Sequence, residues 1–347
     1  MAMDERIDWP TFLGDAARSG GVPAAARPAP TDMIWRVTLP DSVRSSPVLR
    51  DGTLYVACRD AKLYALDAAT GRERWTFDAG APLRSTPSLS GPLLLVGNDA
   101  GTLFAIDRTA GAPRWQADFG GEIWSSAAIS DGLAFVGSTN GRFAALELET
   151  GQTRWQRTLD ARISSTATVA GELLYVGAGD GRVLALRAAT GEDVWQHETG
   201  DAVAGATAVA GGLVLAGSED GTLRALDPGT GALRWQFDAG YGIIAAPAVG
   251  GDTVFVASRD GFLHALRLAD GTRIWRGPDM RTITAAPLAG DGYVCVQGFY
   301  GATTAFDSAT GRELWTLSLG SSLQSTPIVT PAAVYQATDR GLVYALR

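Results

Sequence analysis

At 347 residues the chain has length for roughly two or three domains, and 46 % hydrophobic residues supply a large core. A net charge of −8 and a pI near 4.9 argue against nucleic acid and anionic membrane as partners, because both recruit a basic face. Lys62 is the single lysine, so Schiff-base chemistry has one place to occur.

The chain opens with MAMDERIDWPTFLGD, which is acidic and lacks an apolar run. It does not have the form of a secretory leader, and the expected location is cytoplasmic. No later stretch offers the roughly 18 consecutive apolar residues of a membrane span. Residues 1–33 carry no regular pattern and are expected to form an N-terminal arm across the body of the protein. From residue 34 to the end the pattern is unbroken, so 34–347 is read as one domain.

That pattern is a strict period. Trp35, Trp75, Trp115, Trp155, Trp195, Trp235, Trp275 and Trp315 stand 40 residues apart. A fixed interval of this length marks a repeat architecture. Within one period, residues 85–115, the runs STPSL, LLLVG and TLFAID and the stretch around Trp115 are separated by turn signals at Ser90-Gly91-Pro92, Asn98-Asp99-Ala100-Gly101 and Arg108-Thr109-Ala110-Gly111. These are four strands of about four to six residues each. No segment sustains a helical period. One four-stranded meander is too small to stand alone. Packed face to face around an axis, such units make an all-β, eight-bladed propeller.

The count also specifies closure. Inner strands begin near Ser45, Ser85, Ser125, Ser165, Gly205, Ala245, Ala285 and Ser325, but the first Trp strand precedes the first of these. The strand around Trp35 is therefore expected to complete the last blade beside residues 325–347. Small residues recur where inner strands crowd the channel. Pro47, Pro87, Pro247, Pro287 and Pro327 mark strand positions whose N–H is not needed. Asp-x-x-Thr-Gly before the Trp strand, as in Asp67–Gly71, Asp227–Gly231 and Asp307–Gly311, is an Asx turn with a glycine for positive φ.

The unit Ala65-Leu66-Asp67-Ala68-Ala69-Thr70-Gly71-Arg72-Glu73-Arg74-Trp75 resembles the tryptophan-docking motif of the pyrroloquinoline-quinone-like propeller family. It returns at 225–235 and 305–315, and the segment Trp9–Asp15 with Arg18 and Gly20 is similar to that family's N-terminal stretch. The resemblance covers the whole chain and implies the fold. Its dehydrogenase branch is marked by long insertions, a vicinal disulfide and calcium-binding acids. This chain has regular 40-residue blades, and Cys58 and Cys295 lie in different repeats as expected buried thiols. No cofactor and no metal site are expected.

Against so regular a repeat, departures point to function. The residue nine after each Trp reads Arg44, Arg84, Trp124, Ser164, Ala204, Ile244, Thr284, Gln324, at the mouth of each inner strand. The position before it is always apolar, from Val43 to Leu323. Gln324, Arg44, Arg84 and Trp124 fall on successive blades. Tyr241, Arg281, Phe299 and Tyr300 are further departures in loops of the same face, and Arg281, Phe299 and Tyr300 are expected to join Arg44, Arg84, Trp124 and Gln324 around one sector of the mouth. Aromatics and guanidiniums together suit a planar or anionic ligand, through stacking and paired hydrogen bonds.

Catalytic signatures are weak. His197 and His264 lie on outer and third strands, away from the mouth. No metal-ligand spacing or nucleophile motif appears. Glu122 and Tyr300 are the nearest acid–base groups. The expectation is a monomeric binding or scaffold propeller recognising a small molecule or peptide at the channel mouth. The alternative is a cyclase- or lyase-like enzyme of a biosynthetic pathway using the same pocket; a quinone-dependent dehydrogenase and a protein-assembly platform rank below both.

Overall fold

The computed structural model describes residues 21–25, 30, 32–298, 300–322 and 325–347. Each period folds as a four-stranded antiparallel meander. In the first blade Val48–Arg50, Thr53–Ala57, Lys62–Asp67 and Glu73–Asp78 pair in chain order. Eight such sheets make the ring. Met33–Thr38 pairs antiparallel with Leu342–Leu346, with Trp35 opposite Ala345, so the N-terminal strand completes the eighth blade. Thr326 N–H also donates to Ser46 Oγ across the closure (2.9 Å).

The innermost strands are shorter than the pattern suggests, three residues in Val48–Arg50 and Ser88–Ser90. The cause is a competing set of bonds. Ser46 N–H donates to Thr86 Oγ1 of the next blade, Thr86 N–H to Ser126 Oγ, and Ser126 N–H to Thr166 Oγ1, all at 3.0–3.2 Å. The chain is thus tied sideways to its neighbour at the mouth and enters its own sheet only afterwards. Proline at positions such as 47 and 87, which has no N–H to give, fits the junction.

Gly21–Ala25 adds a fifth strand to the seventh blade, parallel to Leu288–Asp291 with Gly21 opposite Ala289. Because it pairs with the innermost strand, this stretch of the arm sits on the channel side of that blade.

Between blades the core is a series of interlocking layers. Val43, Leu83, Ile123, Ile163, Val203, Ile243 and Ile283 are fully buried. Each branched side chain wedges over a small residue of the blade before it; a Cβ at Gly97 would lie 2.3 Å from Ile123. On the outside, each Trp reaches the next blade. Trp35, Trp75, Trp115, Trp155, Trp195, Trp235 and Trp275 donate Nε1–H to a carbonyl 33 residues on, at 2.8–3.1 Å. The ring lies on the turn glycine of that blade: Gly151 has φ +71°, and a Cβ there would be 2.6 Å from Trp115. The turn is built from its own side chains, with Asp67 Oδ1 accepting from Thr70 N–H (2.9 Å) and Thr70 Oγ1 (2.8 Å) while Arg74 donates to Oδ2 (2.7 Å).

Candidate functional site

The channel mouth is formed by two loops of each blade, as their mutual hydrogen bonds show. Leu83 N–H donates to the Cys58 carbonyl, and Asn98 Nδ2 to the Ala79 carbonyl. The acidic and amide residues of these hairpins mostly serve the turn: Asp220 Oδ1 accepts from Thr222 N–H (2.8 Å) and Asn140 Oδ1 from Arg142 N–H (3.2 Å). Where the chain enters each inner strand, the channel holds a cavity of about 170 Å³.

That cavity has two unlike walls. Thr86, Ser126, Thr166 and Thr326 line one arc with hydroxyls, three of which already accept an N–H of the preceding blade. Ala206, Ala245, Ala246 and Ala286 close the other as a small apolar cluster. Above them Arg84 and Trp124 stand on adjacent blades. The Arg84 guanidinium lies 5.0 Å from the Trp124 ring centroid, held there by Nε donating to Asp99 Oδ2 at 2.9 Å. Asp99 Oδ1 is buried without a partner, and neither terminal nitrogen of Arg84 has a hydrogen-bond acceptor among the described residues. Trp124 Nε1 and Thr284 Oγ1, both on residues that line the cavity, are buried and have no hydrogen-bond partner among the described residues. A buried donor left unmade costs on the order of 1–3 kcal/mol.

The remaining expected contacts separate from this pair. Arg281, at φ +71°, lies 5.4 Å from the Tyr300 ring centroid, a second cation–π pair on the seventh blade. In an eight-bladed ring the third and seventh blades are opposite, so the two pairs flank the mouth from opposite sides instead of sharing one sector. Arg44 is exposed and does not line the cavity. Tyr241 is 66 % exposed, and only its main chain is engaged, its carbonyl accepting from Ser258 Oγ (2.9 Å). Phe299 and Gln324 lie outside the described residues. Glu122 is half-buried on the third blade and Tyr300 64 % exposed on the seventh, so the two acid–base candidates are not neighbours.

Both histidines are structural in their surroundings. Burial is the main cause pushing each below its ordinary value. His264 Nε2 faces Asp260 Oδ2 at 3.1 Å between the rings of Phe237 and Phe262, away from the mouth. Burial pushes Cys58 up to about 12 and raises Cys295 as well; both are free and buried, which disfavours the reactive thiolate.

The sequence reading missed a buried amide pair. Gln297 stands where other blades have Gly or Ala, and Gln336 where they have Val or Ala. Both are fully buried, and Gln297 Nε2 donates to Gln336 Oε1 between the seventh and eighth blades. Gln336 in turn donates to Ser325 Oγ and the Ala337 carbonyl. Gln297 belongs to the strand Tyr293–Gly298, so the hairpin begins later than the aromatic departure suggests. Column-by-column alignment of the blades could have found both.

The model of the family described as "Outer membrane protein assembly factor BamB" matches residues 19–122, 99–237, 185–281 and 238–347. The chain belongs to this BamB-like family of quinone-type propeller repeats. A solved BamB from Moraxella catarrhalis superposes with a TM-score of 0.81 at 19 % identity, covering 91 % of this chain and 99 % of the other. The quinohemoprotein alcohol dehydrogenase of Comamonas testosteroni gives 0.85 at 15 % identity over 98 % of this chain and 80 % of that one. At such identities the likeness is one of fold. A serine/threonine-protein kinase, AfsK of Streptomyces griseus, is 41 % identical over 69 residues, 19 % of this chain; the match spans only 8 % of the kinase.

The residues present do not suit the quinone-and-metal site implied by the dehydrogenase branch. Cys58 and Cys295 sit in the first and seventh blades, and among the described residues no three His, Cys, Asp or Glu converge on a common point.

Proposed function

We propose that this propeller is a binding protein that takes a small planar anion at its channel mouth. Arg84 and Trp124 are the principal contacts. The observation that carries this reading is the Arg84–Trp124 pair: a guanidinium locked over an indole whose own N–H is buried and unpaired. An aromatic carboxylate would lie beside the indole, accept from the unpartnered terminal guanidinium nitrogens, and satisfy the Trp124 N–H or the Thr284 hydroxyl. The narrow cavity below admits one small ring and no folded segment, and the alanine arc gives that ring an apolar wall. The protein's net negative charge opposes an anion at long range, so the local guanidinium must supply the attraction.

Calorimetric titration with benzoate tests this. Saturable binding to the wild-type protein should weaken by about tenfold or more in Arg84→Ala, the loss of one charge-assisted contact. Arg44→Ala should leave it nearly unchanged, because Arg44 does not line the cavity. Equal affinity in wild type and Arg84→Ala would remove the reading. The family's description as an assembly factor supports a second role as a protein scaffold, which would use the outer surfaces of the blades.

A further inference from the structure

The repeat allows one groove of the molecule to be read from another. On the face opposite the mouth, the gap between the first and second blades is partly filled by a side chain. Arg108 of the second blade lies in it, with Nη2 2.7 Å from Asp51 Oδ2 and Nε donating to the Gly91 carbonyl at 2.8 Å. The space left is about 240 Å³.

Two periods later the same gap, between the third and fourth blades, is a cavity of about 730 Å³. Its frame is retained. Asp131 replaces Asp51 with almost the same backbone, φ +49° against +48°, and Gly171 replaces Gly91 at φ +60° against +52°. What changes is the filling. Arg108 becomes Ala188, Thr109 becomes Ala189, Thr53 becomes Leu133 and Tyr55 becomes Phe135. Every substitution removes a polar group and leaves an apolar floor. Asp131 keeps a hydroxyl contact from Ser130 (3.0 Å), and among the described residues no arginine ion pair reaches it. Glu147 and Glu172 stand at the rim, paired loosely at 3.6 Å with Arg154 and Arg187.

We infer that this groove is a second binding site, built to receive an arginine side chain from a partner polypeptide. The first gap shows how the occupant would lie: guanidinium on the Asp131 carboxylate, Nε toward the Gly171 carbonyl, aliphatic stem across Phe135 and Leu133. The larger volume leaves room for the residues that flank the arginine. Three carboxylates against two arginines favour a cation. The inference does not depend on the mouth site.

The test uses N-acetyl-arginine N-methylamide as probe, titrated into the full chain and followed calorimetrically. Wild type should bind one equivalent. Asp131→Asn should weaken binding by about tenfold, and the corresponding lysine probe should bind more weakly than the arginine probe for want of the planar fork. Ala188→Arg should abolish it by filling the groove as Arg108 fills its own, while Arg84→Ala leaves it intact. Conversely, Arg108→Ala should open the first gap and raise the stoichiometry to two. Agmatine, which lacks the peptide groups, should bind no more tightly than the blocked amino acid; tighter binding would overturn the polypeptide assignment. Absence of saturable binding to wild type, or binding unchanged in Ala188→Arg, would overturn the site itself.

Discussion

Around the outside of the disc the blades repeat one contact almost without variation. Seven tryptophans donate to a carbonyl 33 residues on, whether that residue is Ala68, Arg108, Leu148 or Pro228, because the acceptor is main chain. Around the channel mouth the same 40-residue period brings Arg84, Trp124, Ser164, Ala204, Ile244 and Thr284 to equivalent positions with no common chemistry. Geometry imposes the first set: the blade gap must be closed by a large flat ring on a residue with no Cβ. It places no such demand on the second set, whose side chains face open channel. Where packing does not dictate a residue, its identity is free to report binding.

The girdle should therefore be fragile and the mouth tolerant. The sharpest break comes from Gly151→Ala, which forces a Cβ at φ +71° into Trp115. It should cost about 2–4 kcal/mol in denaturant unfolding, from backbone strain plus steric displacement. Trp115→Phe keeps much of the ring but deletes its bond to the Leu148 carbonyl (2.9 Å), and should cost about 1–2 kcal/mol by the same measurement. Removing both Arg84 and Trp124 side chains beyond Cβ should lower stability by less than either change while eliminating benzoate binding. A large stability loss there would erase the distinction between the two regions.

Acid titration sharpens the same contrast. Asp67, Asp107 and Asp227 of the outer turns are each held down to about 2, chiefly by Arg74, by the Ala110 N–H and by Arg234 respectively. Their folded values lie below the unfolded value near 3.8, so the unfolded chain takes up protons first. The stability they contribute is complete above that value and is lost as pH falls through about 2. Asp227→Asn should shallow the acid limb of a melting-temperature profile between those values. His264 adds a smaller effect higher up. Burial lowers its folded value below 6.5, so protonation favours the unfolded chain and stability should decline as pH drops below 6.5. His264→Gln should reduce that decline to the share of His197, which burial shifts in the same direction.

The fold was legible because its determinants are local and repeated. The Trp interval, the Asx turns and the displaced first Trp strand together specify eight blades and the closure at Trp35. The shortened inner strands were not legible, because Ser46, Thr86 and Ser126 bond across to residues 40 positions away and sequence runs do not show which edge an N–H faces. At the mouth, comparing blades at one phase found Arg84 and Trp124 and placed them side by side. It grouped Arg281 and Tyr300 with them, although the eightfold geometry sets the seventh blade across from the third. It also passed over Gln297 and Gln336, whose meaning appears only when facing columns of adjacent blades are read together. The groove at Asp131 was hidden for the same reason: its signal is a small Ala188 facing Asp131, visible only against the occupied gap where Arg108 faces Asp51.

The most direct measurement is the indole N–H spectrum of ¹⁵N-labelled protein during benzoate titration, with the Trp124 resonance assigned by its loss in Trp124→Phe. Anion binding at the mouth should move this resonance in a saturable way, and Arg84→Ala should abolish the movement. The resonances of the tryptophans bonded between blades should stay in place. A silent Trp124, or shifts spread across the outer tryptophans, would contradict it.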